Sequence, residues 1–380
     1  MSPFSVNRRQ LILAATAAAL GVPSLRAAAA KSWLIGQSAP LTGTGAAVSM
    51  ETTAGAHLYF DKLNSTGGVH GKPIELLTLD DAQDPKRTAT NTRQLIDQGA
   101  LALAFYRSTP SIAAALPLAT QSGVAFVGAQ TGPLILFEPA QAEVFNTRTR
   151  YKDEVIHAVG FFAGLGYRRV GALVASDAFG QDVMAGLLPA MEAVKAELVA
   201  QASIDNRQAD VTQQLAVLRK ANPQVVLLIC NAKAAAEFIK AAKKSGMTAT
   251  FVALSNTSSA AFVQDLGAAA RGVVVTQVVP TPYSSRVRVV SDFREAILRK
   301  GANAPLPSHA ALQGYISAKF IHEAIRRAGP GTDRERLRQS NVANGNFDLG
   351  DFALNYTPRN RQGSKLVELT IIGQDGRFMY

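Results

Sequence analysis

Residues 211–242, VTQQLAVLRKANPQVVLLICNAKAAAEFIKAA, place one buried-strand pattern between two amphipathic helical patterns. Residues 225–229 form an uninterrupted apolar run of strand length, which is typical of a strand covered on both faces. On each side, apolar residues recur with the spacing of one helix face. These are Val211, Leu215 and Leu218 before the strand and Ala235, Phe238, Ile239 and Ala242 after it. A strand between two such helices predicts a parallel sheet with helices on both faces.

The same alternation continues along the chain from Trp33 onward. Residues 170–174 and 273–276 are further apolar runs of strand length, and Val155 and Phe162 lie on another helix face. A chain of 380 residues is long enough for two domains. Because no linker rich in Pro, Gly or Ser separates them, we expect the chain to cross directly between two α/β lobes.

The first 30 residues differ from the rest of the chain. They contain three arginines and no acid, and residues 11–22 form an apolar run. That run is shorter than the roughly 20 residues that a membrane span needs. Small residues follow at 27–30, and this order predicts an export signal, residues 1–30, that is cleaved on delivery to the periplasm. Its Arg8-Arg9 pair resembles a twin-arginine signal, and an ordinary Sec signal is the alternative.

The composition excludes several classes of protein. Hydrophobic residues make up 47% and charged residues 18%, which is typical of a folded protein with a substantial core. The net charge is +11, but the basic residues are scattered in short pairs such as Lys243-Lys244, so we expect no nucleic-acid partner. The single cysteine, Cys230, cannot form an internal disulfide and is expected to be a small buried residue.

No catalytic pattern is visible. The five histidines lack metal-ligand spacing, and the chain has no Gly-x-Ser-x-Gly turn and no phosphate loop. Gly43-Thr44-Gly45 begins like a dinucleotide-binding turn, but Val48 stands where the third glycine belongs. We therefore expect a protein without catalytic residues, metal or cofactor.

An ordered series of short motifs resembles the leucine/isoleucine/valine-binding family of type I periplasmic binding proteins, from about Trp33 to the C-terminus. The motifs are Pro40-Leu41-Thr42-Gly43, residues 67–72, Asp80-Asp81 with Asp84-Pro85, Ser108-Thr109-Pro110, residues 128–132, residues 145–148, residues 177–180 and Gln374-Asp375-Gly376. The resemblance implies a monomeric ABC-transporter receptor that closes on a small-molecule solute and delivers it to a permease in the inner membrane. A ligand-sensing regulatory subunit of the same fold is the second hypothesis, and an enzyme on this scaffold is the third.

The family fold implies two doubly wound parallel-sheet lobes joined by three crossovers, near Arg148, Val279 and Tyr356. The first lobe then comprises residues 31–148 and 280–356, and the second comprises residues 149–279 and 357–380. Short apolar segments between residues 346 and 372 are expected to add antiparallel strands to the second sheet. In open α/β sheets of this kind, a ligand binds beyond the carboxyl ends of the strands.

The resemblance also implies binding residues. Thr109, together with Ser108, matches a hydroxyl that holds the ligand carboxylate, and Ala129 and Thr131 match a turn with the same role. Helix capping by Ser108 or Thr109 is the structural alternative. Phe179 matches an aromatic cover, or simply packs in its loop.

Two positions depart from the family pattern. Asn256 stands where amino-acid binders carry an acid for the ammonium, and Ala232 replaces an aromatic residue. Asp153 or Glu154, beside Tyr151, is a candidate replacement for the acid. Otherwise the ligand is an amide or an aromatic or aliphatic carboxylic acid. Arg107 is either a second carboxylate contact or a surface arginine.

Overall fold

The computed structural model describes residues 32–207, 210–343 and 345–380. The predicted export signal at residues 1–30 lies outside these ranges. Within them, no helix is long and apolar enough to span a membrane.

Strands and helices alternate through most of the described chain. The strands are β1 (Trp33–Ala39), β2 (Ile74–Asp80), β3 (Ala102–Ala104), β4 (Ala125–Val127), β5 (Val144–Phe145), β6 (Arg169–Ala175), β7 (Glu197–Ile204), β8 (Val225–Ile229), β9 (Thr250–Ala253), β10 (Val274–Gln277), β11 (Asn346–Asp348), β12 (Ala353–Thr357), β13 (Asn360–Gly363), β14 (Glu368–Ile372) and β15 (Phe378–Met379). The helices are α1 (Ala46–Ser65), α2 (Pro85–Asp97), α3 (Thr109–Gln121), α4 (Tyr151–Gly164), α5 (Ala178–Ala193), α6 (Thr212–Ala221), α7 (Ala232–Lys244), α8 (Ala260–Leu266), α9 (Arg288–Lys300), α10 (His309–Ala328) and α11 (Arg334–Ala343).

The first lobe is built on a five-stranded parallel sheet in the order β2-β1-β3-β4-β5. One face packs against α1, α9 and α10, where Phe60, Phe293 and Tyr315 are buried. The other face packs against α2 and α3 through residues such as Leu95 and Ile112. The short strands β3, β4 and β5 are apolar and fully buried, which explains why they lack an alternating pattern.

The second lobe contains a seven-stranded sheet in the order β15-β14-β10-β9-β8-β6-β7. Strands β6 to β10 are parallel to one another, whereas β14 and β15 are antiparallel additions at one edge. Residues 225–229 form the central strand β8, and its two flanking patterns form α6 and α7. The doubly wound parallel-sheet lobes predicted from the sequence are thereby confirmed.

Residues 346–363 do not join the second sheet as predicted. Strands β11, β12 and β13 form a separate three-stranded antiparallel sheet. Phe347 and Tyr356 pack against Phe320 of the first lobe, and Asn146 N donates to Arg361 O at 3.1 Å. The chain therefore reaches the second sheet between Gly363 and Glu368, later than the predicted crossover near Tyr356. An alternating pattern identifies a half-buried strand but not the surface it covers.

Candidate ligand-binding cleft

The carboxyl ends of both sheets face a cleft with about 480 Å³ of empty space, part of it open to solvent. The first lobe contributes Thr44, Gly45, Val48, Gln83, Arg107, Ser108, Thr109, Pro110, Gln130 and Thr131 to its lining. The first crossover and the second lobe contribute Tyr151, Asp177, Phe179, Asn206, Asn231, Ala232 and Asn256. Parallel strands end at the same edge of a sheet, which is why loops far apart in sequence meet here.

Seven of the predicted site residues line this cleft: Arg107, Ser108, Thr109, Thr131, Tyr151, Phe179 and Asn256. Ala129 does not belong to the lining that the described residues form. Its side chain is buried in the apolar core behind β4, and the neighbouring Gln130 reaches the cleft instead.

Arg107 crosses the cleft between the lobes. Its side chain is buried, with the residue 8% exposed, and Nη2 donates to the main-chain oxygen of Asn256 at 2.6 Å. Among the described residues, no carboxylate forms an ion pair with it. Burial lowers the pKa of Arg107 because the charged form loses solvation. Arg107 is therefore a buried cation and not a surface arginine.

Ser108 and Thr109 begin α3 without capping it. Ser108 has φ of 75°, a conformation uncommon outside glycine, and its side chain makes no capping hydrogen bond. Thr109 is 5% exposed, and within the described ranges its Oγ1 has no hydrogen-bond partner. A buried polar group left in this state costs about 1–3 kcal/mol. The helix-capping alternative therefore fails, and the Thr109 hydroxyl is a buried group without a partner in the described part of the chain.

An aromatic wall closes one side of the cleft. Tyr151 OH lies 3.0 Å from Thr131 Oγ1, so this second hydroxyl already has a partner. The Tyr151 and Phe179 rings meet edge to face, with centroids 4.9 Å apart. A Cβ on Gly180 would lie 1.9 Å from the Ala175 oxygen, so a glycine is required there for the first turn of α5 to lie so close to the end of β6.

Polar groups of the second lobe are largely satisfied by one another. Asp177 accepts from Phe179 N at 3.0 Å, Gly180 N at 3.3 Å and Asn206 Nδ2 at 3.2 Å. Asn231 Oδ1 accepts from Ala234 N at 2.8 Å, which caps α7, and its Nδ2 donates to Asn206 O at 2.6 Å.

Asn256 is the exception in the second lobe. Its Nδ2 donates to the carbonyl oxygen of Cys230 at 3.0 Å, and within the described ranges its buried Oδ1 has no partner. A carbonyl can only accept, so this bond determines which amide atom is the nitrogen.

The two lobes are closed on each other. Besides the bond from Arg107 to Asn256, Glu51 of α1 accepts from Ala260 N at 3.0 Å and Ala261 N at 2.9 Å at the start of α8. At another point Asp182 of α5 accepts from Leu134 N at 2.8 Å. Each bond joins a residue of the first lobe to one of the second.

This architecture matches that of a known protein family. The periplasmic binding protein family profile matches residues 32–376. The chain belongs to the periplasmic binding protein family. Solved periplasmic binding proteins of similar structure include a substrate-binding periplasmic protein from Ralstonia solanacearum, with 30% identity, a TM-score of 0.86, and coverage of 91% of this chain and 99% of that one.

Two further relatives carry more specific descriptions. One solved structure is described as a possible leucine/isoleucine/valine-binding protein from Rhodopirellula baltica, with 27% identity, a TM-score of 0.86, and coverage of 93% of this chain and 97% of that one. A curated relative from Pseudomonas aeruginosa, described as an amino acid binding protein, is 21% identical over 78% of this chain and 79% of its own length.

Neither candidate replacement for the missing acid of this periplasmic binding protein lies in the cleft. Asp153 accepts hydrogen bonds from Arg150, Thr149 and Gln362. Glu154 is fully buried, pairs with Arg148, and accepts from Ser255 N at 2.9 Å and from Thr276 Oγ1. The expectation that Asp153 or Glu154 receives a ligand ammonium is therefore wrong.

Several lining residues were not predicted, although the sequence carries a signal for some of them. Asn206 and Asn231 come shortly after β7 and β8, at the strand ends where ligands bind in such sheets. Gln83 follows β2 in the same way. Thr44 and Gly45 belong to the turn that was rejected as a dinucleotide site, and they line the cleft from the start of α1.

Proposed function

We propose that this protein is the solute-binding component of an ABC importer of the branched-chain amino acid type, and that it carries a small polar solute to its permease without altering it. The observation that carries this proposal is a cleft between two lobes in which buried polar groups lack partners. Among the described residues, Arg107 forms no ion pair and the Thr109 hydroxyl has no hydrogen-bond partner. Such groups are satisfied when a ligand fills the cleft.

The relatives support the same role. The Pseudomonas aeruginosa protein is described as binding amino acids, and the Rhodopirellula baltica structure as a possible leucine/isoleucine/valine-binding protein. Family membership and the composition of residues 1–30 support export to the periplasm, where the protein meets an inner-membrane permease as a monomer. We assign residues 31–148 and 280–363 to the first lobe, and residues 149–279 and 364–380 to the second.

Within the cleft, Thr109 and Arg107 hold an anionic or carbonyl end of the solute, with Ser108 and Thr131 beside them. The Tyr151 and Phe179 rings cover its apolar part. The interlobe bonds made by Arg107, Glu51 and Asp182 form as the lobes close. Hinge closure around a ligand is the motion that such two-lobed proteins perform.

The test uses residues 31–380 as purified protein. A thermal-shift screen with amino acids, amides and carboxylic acids identifies a solute, because a ligand that binds only the folded state raises Tm. Small-angle scattering with saturating solute is expected to show a smaller radius of gyration than without it, at unchanged circular dichroism. A bound solute that leaves the radius of gyration unchanged contradicts closure.

A further inference from the structure

We propose that the solute is a carboxylate that bears a neutral hydrogen-bond donor, a hydroxyl or an amide N–H, in place of the ammonium of an amino acid. This inference rests on the proposed function and identifies the class of solute. A 2-hydroxy acid is the simplest member of that class. Three features of the cleft support it: the positive charge of Arg107, the side-chain oxygen of Asn256, and the hydrogen bond that joins these two residues.

The charge of the cleft favours an anion. Arg107 is a buried guanidinium whose one side-chain hydrogen bond within the described ranges goes to a main-chain oxygen. Among the described residues that line the cleft, Asp177 is the only acid, and its oxygens already accept from Phe179 N, Gly180 N and Asn206 Nδ2. A second buried cation, Arg148, is neutralised by Glu154 outside the lining. A carboxylate therefore gives Arg107 an ion-pair partner, whereas a zwitterion also brings a cation. Glu51, the acid whose charge acts on Arg107, already accepts from Ala260 N, Ala261 N and Ser308 Oγ.

The Asn256 side chain requires a donor from the solute. Its nitrogen is committed to the Cys230 carbonyl, which leaves Oδ1 as a buried acceptor without a partner in the described part of the chain. A hydroxyl or an amide N–H satisfies this oxygen. An ammonium also donates, but the neutral amide does not balance its charge, and the Arg107 guanidinium nearby repels it.

Asn256 also indicates how close the two solute groups are. Its main-chain oxygen receives Arg107 Nη2 at 2.6 Å, and its side-chain oxygen awaits a donor. The guanidinium that binds the carboxylate and the oxygen that binds the donor thus meet at one residue. A solute whose hydroxyl stands on the carbon next to its carboxylate presents both groups together.

The test compares matched pairs by calorimetry on residues 31–380. The pairs are leucine with 2-hydroxy-4-methylpentanoate, phenylalanine with 3-phenyllactate, and alanine with lactate. In any pair that binds, we expect the hydroxy acid to bind at least about 10-fold more tightly, because a site that lacks a counter-charge discriminates strongly against a buried cation. Asn256→Asp supplies the missing acid and is expected to reverse the preference. Asn355→Asp, on an exposed strand position outside the lining, adds the same charge as a control and is expected to leave the preference unchanged.

The outcomes separate this inference from the proposed function. An amino acid that binds more tightly than its hydroxy acid, or a solute without a carboxylate that binds best, overturns the inference and leaves the receptor function standing. If no solute of any class raises Tm or makes the protein more compact, both are overturned. If Asn256→Asp fails to fold, as judged by circular dichroism and Tm, the wild-type pairs still decide the question.

Discussion

Two helices of each lobe that begin at the cleft differ in whether a side chain caps their first N–H groups. In the first lobe, α1 and α3 begin at Gly45 and Ser108 with no side-chain cap. In the second, the side chains of Asp177 and Asn231 cap α5 and α7. Uncapped N–H groups and the positive end of the helix dipole attract an anion, whereas a cap formed by the protein removes that attraction. These four helix starts support our proposal that the first lobe holds the charged end of the solute and the second lobe covers it, although α2 is capped by Asp84 and α4 begins at Tyr151 without a side-chain cap.

Arg107 adds a positive charge to the first-lobe side of the cleft, and its removal is expected to cause the largest loss of affinity. Two hydrogen bonds from a guanidinium to a carboxylate are worth about 1.5–3 kcal/mol each, so Arg107→Gln is expected to weaken affinity by about 100-fold or more. Stability without solute is expected to stay equal or rise, because the substitution removes a buried charge that forms no ion pair with the described residues. Calorimetry and thermal melts measure the two quantities.

The control for this prediction is Arg359→Gln, which makes the same change at an exposed position outside the lining. It is expected to leave both quantities unchanged. A Kd for Arg107→Gln within threefold of wild type would show that the first lobe does not depend on this cation.

Much of this contrast was accessible from sequence, because strand ends can be located from apolar runs. The runs at 170–174 and 225–229 predict the strands, and the parallel topology then brings Thr109, Phe179 and Asn256 to one cleft. The motif match added Arg107 beside the hydroxyls but left its environment open. The burial of the guanidinium, and its lack of an ion pair with the described residues, became visible only with the tertiary contacts.

The roles of the other charged residues could not be predicted from sequence, because they depend on which groups form ion pairs with each other. Asp153 and Glu154 lie next to Tyr151 in sequence, yet they form ion pairs with Arg150 and Arg148 outside the cleft. Helical neighbours point in different directions, so closeness along the chain does not place a side chain in a site. The strands at 346–363 raised a similar difficulty, because their pattern does not identify the sheet or core that receives them.

The two site threonines differ in a way that the motif match did not reveal. Thr109 Oγ1 lacks a partner in the described part of the chain, whereas Thr131 Oγ1 bonds with Tyr151. Thr109→Ala is expected to weaken affinity by about 10- to 100-fold, the value of one hydrogen bond to a charged group, with little loss of stability. Thr131→Ala is expected to lower stability by about 1 kcal/mol and affinity only a few-fold. Equal effects on Kd would contradict this difference.

The smallest effect is expected at Asp177, where the contrast between the lobes is tested most directly. Asp177→Ala removes the α5 cap and is expected to cost about 0.5–2 kcal/mol of stability, whereas Asp177→Asn keeps a good capping residue and is expected to stay near wild type. Both substitutions remove the acid from the lining. The affinity for an anionic solute is expected to rise slightly or stay the same, so Kd changes by less than about threefold in either variant. A solute with an ammonium would instead lose the negative charge of a lining carboxylate. A 10-fold weaker Kd for Asp177→Asn at wild-type stability would therefore show that the second lobe binds a charge after all, and that the division of roles between the lobes is wrong.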